Sequence, residues 1–390
     1  MKSIGAAVAL RRGVRLLLVL LPVFLGAEPL VSATWGFALD LPEEFQFQDG
    51  NGRDRFSFMS PGGVIIDLAV YPGGAYPSVE ALTKDIQKRL GNRGEISPFV
   101  YRNKQAALVS LQFSNPAERA LNGTNQGGDC EGWGLCVELE GDGSPGRPLL
   151  AALVFSRAGI RQIQSLYFSA LDSIAPTQGD RLAPGPITEF TYPRGKPVLV
   201  RPAHSRVQGR IYEYDAEGAQ SLVDLEFTVL SRYTAHPRWK EAWIRFYRRI
   251  YRDSYDRIAD LAFSLERGWH KSGPLAAQAL QWVQSFQYER DLMGSDFVNL
   301  VSAAIEGRGD CDSRSLLWAI ILNHANIPAA VMVSREYSHA MGLADIPGQG
   351  ARFTLENKQW LVAETTAKVD LGLIAAQQSV LDKWIGVSFE

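Results

Sequence analysis

The chain has little of what metal sites, redox centres and nucleic-acid surfaces are built from. Of 390 residues, five are histidine and three are cysteine. His204, His236, His270 and His324 show no metal-ligand spacing with one another or with the cysteines, so no metal is expected. A glycine-rich phosphate loop and a dinucleotide fingerprint are both missing from the sequence, which removes nucleotide and redox enzymes and leaves no cofactor to expect. The formal net charge of -2 at pH 7 gives no electrostatic reason to expect a nucleic-acid partner. Repeats and low-complexity tracts are lacking as well.

What is present suffices for two cored domains: 46% of the residues are apolar and 10% aromatic. The chain opens with Lys2, Arg11, Arg12 and Arg15, then an apolar run from Leu16 to Leu25, then Val31-Ser32-Ala33 before Thr34. That run is too short to favour a spanning helix, and the pattern is that of a secretory signal over residues 1–33, cleaved after Ala33. An exported protein, periplasmic or extracellular, is the expectation. The long basic lead leaves an uncleaved membrane anchor as the alternative.

Residues 34–176 read as an α/β unit. Strand-like runs at Gly36–Pro42, Arg55–Met59 and Val64–Tyr71 precede a helix over Val79–Leu90, with Ser78 as its N-cap and Gly91 as its stop. Further strands are expected at Ala106–Phe113, Gly134–Leu139 and Leu149–Phe155, and a helix near Ile163–Ile174. This order and the opening Gly-Phe-x-Leu-x-Leu-Pro resemble the PsbP-like fold, which implies an antiparallel sheet with flanking helices. No catalytic set assembles here, so a binding module for a protein partner is expected. Cys130 and Cys136 bracket a Gly-containing loop whose ends could be bridged in an oxidising compartment, or both remain reduced.

Pro184, Pro186, Pro193, Pro197 and Pro202 mark residues 177–215 as a linker or an irregular crossing. Helical patterning follows in Ala219–Tyr233 and from Trp239 to Leu265, where Trp243, Phe246, Ile250, Ile258, Leu261 and Leu265 recur at three- and four-residue spacing. Arg245, Arg248, Arg249 and Arg252 alternate with aromatics on that helix. With Glu241, Asp253, Asp256 and Asp260 nearby they read as a solvated, salt-bridged face.

Cys311 is the odd cysteine. It sits in Gly309-Asp310-Cys311-Asp312, a turn that feeds an apolar helical pattern, and a helix N-terminus favours thiolate over thiol. His339 in Ser338-His339-Ala340-Met341 and Glu364 in Trp360-x-x-x-Glu364-Thr365-Thr366 follow, giving Cys, His and carboxylate in chain order. Flanking Asp310 and Asp312 read as turn and cap residues whose charge opposes the thiolate.

These elements, with Asn326-Ile327-Pro328-Ala329, resemble the transglutaminase-like superfamily of papain-like cysteine enzymes. Met341 stands where that family usually has Trp, and Glu364 where it has Asp. The resemblance implies a C-terminal helix-plus-sheet domain over residues 216–390 and an α+β chain overall. It also implies a Cys311–His339–Glu364 triad, with the last two on neighbouring strands, acting on a peptide or protein substrate. Hydrolysis through a thioester is the expectation, with transamidation or a catalytically silent scaffold as alternatives. Gln287 is the candidate second oxyanion donor, and Asp345 the spare carboxylate for orienting His339.

Overall fold

The computed structural model describes residues 29–115, 128–141, 143, 145–160, 163–202, 207–269, 274–290 and 295–389. The chain is α+β and divides into two compact units, residues 1–178 and 179–390. The apolar run Leu16–Leu25, His204 and His270 lie outside the described residues.

The first unit contains β1 (Leu30–Val31), β2 (Ala38–Leu39), β3 (Gln46–Gly50), β4 (Arg55–Met59), β5 (Ile65–Tyr71), α1 (Val79–Leu90), β6 (Ile96–Tyr101), β7 (Lys104–Asn115), β8 (Gly128–Glu138), β9 (Leu149–Arg157) and α2 (Gln164–Asp172). Seven of the strands form one antiparallel sheet in the order β3-β4-β5-β9-β8-β7-β6. Side chains alternate along β8, so Cys136 and Trp133 point to opposite faces. Helix α1 packs Leu82 and Ile86 on the Cys136 face, against Ala107, Leu149 and Ala151. Phe168 of α2 meets Trp133 on the other face at 5.5 Å between ring centroids. Ser78 caps α1 by accepting from Ala81 N at 3.1 Å, and Gly91 ends it at φ 61°.

One sequence expectation fails in this unit. Cys130 and Cys136 lie in the same strand, β8, and both are free. Their separation of 136 − 130 = 6 residues spans about 20 Å of extended chain, far beyond the reach of a disulfide, so no bridge joins them. Residues just ahead of the expected cleavage point at Ala33 belong to the fold. Leu30–Val31 pairs with Ala38–Leu39, and Ser32 is buried and donates from its backbone to Phe37 O at 2.8 Å.

The second unit opens with a 3-10 turn (Gly179–Leu182), then α3 (Pro186–Thr191) and a hairpin of β10 (Pro197–Val200) and β11 (Gly209–Tyr212). Residues 177–215 are therefore no extended linker. The prolines sit where they suit regular structure: Pro186 in the first turn of α3 and Pro197 at the start of β10. Ile211 and Val200 enter the core, and a Cβ on Gly209 would meet Leu261 Cα at 2.4 Å, so the hairpin lies directly on the following helices.

Those helices are α4 (Asp215–Ser231) and α5 (Trp239–Trp269). The arginine face of α5 is corrected here. Arg245 and Arg249 are 2% and 1% exposed and pair with Glu226 of α4 at 2.7 and 3.0 Å, while Arg257 pairs with Asp215 at 2.6 Å and Asp253 at 2.9 Å. The face is salt-bridged but buried, because each guanidinium meets a carboxylate that leaves water with it.

Next come α6 (Leu275–Gln284), β12 (Gln287–Tyr288), α7 (Leu300–Glu306), β13 (Arg308–Gly309) and α8 (Cys311–His324). A five-stranded antiparallel sheet follows, built from β14 (Ala329–Ser334), β15 (His339–Ala344), β16 (Arg352–Leu355), β17 (Lys358–Ala363) and β18 (Ile385–Val387) in the order β16-β17-β15-β14-β18. Helix α8 is buried on nearly all sides, its apolar residues running from Leu316 to Leu322, as a central helix requires. Its Trp318 donates to Ala276 O at 3.0 Å and lies so close to β15 that a Cβ on Gly342 would meet the ring at 2.5 Å. That contact sets α8 against the strand that begins with His339.

Candidate active site

Cys311 is the first residue of α8. The chain approaches it through Gly307, at φ 64°, and Gly309, where a Cβ would come within 2.4 Å of Ser313 Oγ. Asp310 caps the helix: Oδ1 accepts from Ser313 N at 2.7 Å, and Oδ2 accepts from Val298 N at 2.9 Å. Buried Arg314 braces the turn, donating to Gly309 O at 3.0 Å and Phe286 O at 2.8 Å.

The thiol, 5% exposed, does not follow the helix-terminus expectation. Burial pushes its pKa far up, Asp312 and Asp310 push it further, and the Ala340 backbone N–H beside the sulfur works against them. Sγ donates to Asp312 Oδ2 at 3.6 Å, and Tyr247 of α5 donates its hydroxyl to Oδ1 of the same carboxylate. Burial and two adjacent carboxylates outweigh the helix terminus and favour the neutral thiol.

His339 and Glu364 meet across β15 and β17. The register Gly342↔Ala363 continued by one residue places Met341 opposite Glu364, which makes His339 its diagonal neighbour. His339 Nε2 lies 2.9 Å from Glu364 Oε2, and Glu364 Oε1 accepts from Thr366 N at 2.7 Å and Thr366 Oγ1 at 2.6 Å. Burial resists ionisation of Glu364, but the hydrogen bonds from His339 and Thr366 outweigh it and hold the carboxyl below its usual range. The loop carrying Glu364 is fastened on two sides. Gln284 Nε2 donates to Glu364 O at 2.9 Å and Val369 O at 2.8 Å, and the hydroxyls of Ser315 on α8 and Thr365 are 3.0 Å apart.

Two other candidates are placed elsewhere. Asp345 follows the far end of β15, 345 − 339 = 6 residues and about 20 Å from His339. Its carboxylate pairs with Lys358 at 3.7 Å, so it does not orient the imidazole. Gln287 occupies the two-residue strand β12, where neighbours point to opposite sides. Tyr288 is the member on the thiol's side: burial and then the charge of Cys311 raise its phenol pKa, and Arg314 lies 5.5 Å from its ring centroid. Gln287 is exposed on that strand.

Asp312 (beyond its cap reading), Tyr247, Arg314, Gln284, the Ser315–Thr365 pair and Trp384 are the residues that sequence reasoning missed. Arg314 and Ser315 stand three and four positions after Cys311, a spacing that alone puts them on its helix face. Trp384, whose ring centroid is 6.3 Å from that of His339, and Tyr247 are remote in sequence and leave no local signal. Met341 joins Trp360, Val362 and Trp384 in a second apolar cluster of the sheet.

The paired carboxylates have a consequence for stability. Burial, then the charge of Asp312, pushes the Asp310 pKa up to about 7, and burial raises Asp312 too. The folded state therefore binds protons more tightly than the unfolded chain, and stability falls as pH rises from about 4 through about 7. Burial lowers the pKa of His324, which acts in the opposite sense. Comparison with Asp312→Asn cancels that contribution. Denaturant titrations are expected to show Asp312→Asn gaining stability over the wild type between pH 5 and pH 8, and a constant difference contradicts this.

Among the described residues, no group of three or more His, Cys, Asp or Glu is placed to hold a metal ion, and no helix is long and apolar enough to cross a membrane. No protein-family model and no curated protein matches the chain. Among solved structures it is similar to LpqN, involved in cell envelope biogenesis of Mycobacterium tuberculosis, at 13% identity over 38% of this chain and 90% of that chain, with a TM-score of 0.27. It is similar also to a protein from Bacteroides thetaiotaomicron VPI-5482, at 11% identity over 55% of this chain and 74% of that one, with a TM-score of 0.24. At these scores neither likeness carries an argument about this chain.

Proposed function

We propose that the second unit is a transglutaminase-like cysteine hydrolase that cleaves amide or peptide bonds through a thioester on Cys311. The observation that carries this reading is the His339–Glu364 pair at 2.9 Å, on the strand whose Ala340 N–H lies beside the Cys311 thiol. Glu364 takes Nε2 of the ring, which leaves Nδ1 to exchange a proton with sulfur. In the acylation step Cys311 Sγ passes its proton to Nδ1 and bonds to the acyl carbon. The carbonyl oxygen becomes an oxyanion, for which the Cys311 backbone N–H, at the start of α8, is the natural donor. Collapse expels the amine, which takes the proton back from Nδ1. Water, deprotonated by the same nitrogen, then releases the acid and restores the thiol.

The substrate is a peptide or protein, and the first unit serves as a docking module for a protein partner. The chain acts outside the cytoplasm, periplasmic or extracellular, as the basic and apolar opening suggests. A silent scaffold is the second reading, favoured by the buried, neutral thiol. Incubation with a peptide library and mass mapping of new N-termini separates the two. Wild-type protein is expected to cut and Cys311→Ala is not. Equal, background-level cleavage by both proteins supports the scaffold, while incorporation of an added primary amine in place of water moves the assignment to transamidation.

A further inference from the structure

Among the described residues, Asp312 is the carboxylate hydrogen-bonded to the nucleophile, and it is not a member of the triad. Its Oδ2 accepts from Cys311 Sγ at 3.6 Å, and its Oδ1 is fixed by the Tyr247 hydroxyl from another helix. Tyr247 itself is buried, wedged between Trp243 and Phe297, so the carboxylate is tethered rather than free to swing into solvent. A capping role does not account for this arrangement, because Asp310 already caps α8. We propose that Asp312 is a resting-state latch: it holds the Cys311 proton on sulfur, and the enzyme becomes nucleophilic only when the thiol turns from Asp312 to His339.

The latch rests on the acyl-transfer reading above and regulates that same site. The groups acting on Asp312 are Tyr247 from α5, His339 from β15, Asp296 from the segment before α7, and Asp310 and Cys311 on its own element. Of these groups only His339 is an imidazole, the side chain able to exchange a proton with sulfur during acyl transfer while Asp312 stays ionised. When the thiol turns, its proton moves from Sγ to His339 Nδ1, and Asp312 keeps its negative charge and its bond from Tyr247. No electrons are transferred. Repulsion between a Cys311 thiolate and Asp312 is what favours the latched state, and it vanishes once sulfur is acylated and neutral. The latch therefore suppresses stray alkylation and oxidation of the free enzyme more than it slows the acyl-enzyme.

The test is the pH dependence of Cys311 alkylation by iodoacetamide, followed by peptide mass in the full chain. Asp312→Asn is expected to move the midpoint down by about one pH unit or more and to raise the rate at neutral pH about tenfold. Asp312→Ser serves as a second variant if the first does not fold. An unchanged midpoint in the folded variant overturns the latch, whatever happens to the absolute rate. His339→Ala, alone and combined with Asp312→Asn, separates this proposal from the one beneath it. Slower alkylation in both backgrounds supports latch and triad together. No effect of His339→Ala in either, with the Asp312→Asn shift intact, leaves Asp312 holding the proton on sulfur but overturns release through His339, and the triad with it.

Discussion

Glu364→Gln is expected to lower acyl transfer by roughly 10⁴-fold while the protein stays folded. His339 Nε2 lies 2.9 Å from Glu364 Oε2, and a carboxylate there favours the tautomer with the proton on Nε2 and Nδ1 unprotonated. A glutamine presents one oxygen and one NH2 group at the same place. If its NH2 group faces Nε2, the ring must carry its proton on Nδ1, where it cannot take one from sulfur. If its oxygen faces Nε2, the tautomer survives but the imidazolium loses its counter-charge. The Thr366 N–H and hydroxyl, which converge on Oε1, select the first arrangement by keeping the oxygen on their side. The effect belongs in kcat, with KM little changed, because an orienting carboxylate acts on the transition state. Asp345→Asn provides the control and is expected to leave kcat at the wild-type value, since Asp345 pairs with Lys358 at the other end of β15. A loss under tenfold for Glu364→Gln contradicts the assignment.

The largest loss of stability is expected away from the site. Glu226 is fully buried between Arg245 and Arg249, and its pKa is lowered: burial opposes ionisation, but the two guanidinium groups outweigh it. Glu226→Gln removes the carboxylate that both buried guanidinium groups share, at a cost of about 3–5 kcal/mol and a drop in the melting temperature on the order of 10 °C. Because the folded-state pKa is depressed, the stabilisation from Glu226 is complete above the unfolded-state value of about 4.3 and is lost as pH falls through the folded one. Wild type and Glu226→Gln therefore converge in stability on acidification. Replacing Glu226, Arg245 and Arg249 together with apolar residues of similar volume is expected to recover most of the loss, since all three charges leave the interior together. Melting curves that show less than a 3 °C shift for Glu226→Gln alone contradict this account of α4 and α5.

The outline of the fold was legible wherever the sequence carried a period or a cap. Ser78 and Gly91 bound α1 at Val79–Leu90, and Arg55–Met59 stands as a strand with the expected ends. Within the seven-stranded sheet, the strands that escaped notice, β3 and β6, are its two edges. β3 is exposed along its whole length and so has no buried face to impose an apolar alternation, and β6 carries Pro98, which an edge strand tolerates and a central one does not. The proline-rich stretch misled for a related reason. Proline marks the start of a short element as readily as its absence, and only the packing of Ile211 and Gly209 on α5 distinguishes the two.

At the site, Cys311, His339 and Glu364 could be picked out because each lies in a short local motif. Their surroundings could not. Burial of the arginine face of α5 depends on Glu226, in another helix, and the resting state of Cys311 depends on Tyr247, 64 positions upstream (311 − 247 = 64). Local spacing reports a helix N-terminus, whereas the charge state of the thiol is set by what the tertiary fold packs around it.

The thioester itself is the most direct test of the central claim. Protein mixed with an activated acyl ester, quenched in acid within the first turnover and digested for peptide mass analysis, is expected to carry the acyl group on Cys311. That adduct decays in wild type and persists in His339→Ala, which lacks the base for deacylation. An acyl group on another residue, or none in protein that nonetheless turns the ester over, contradicts the account.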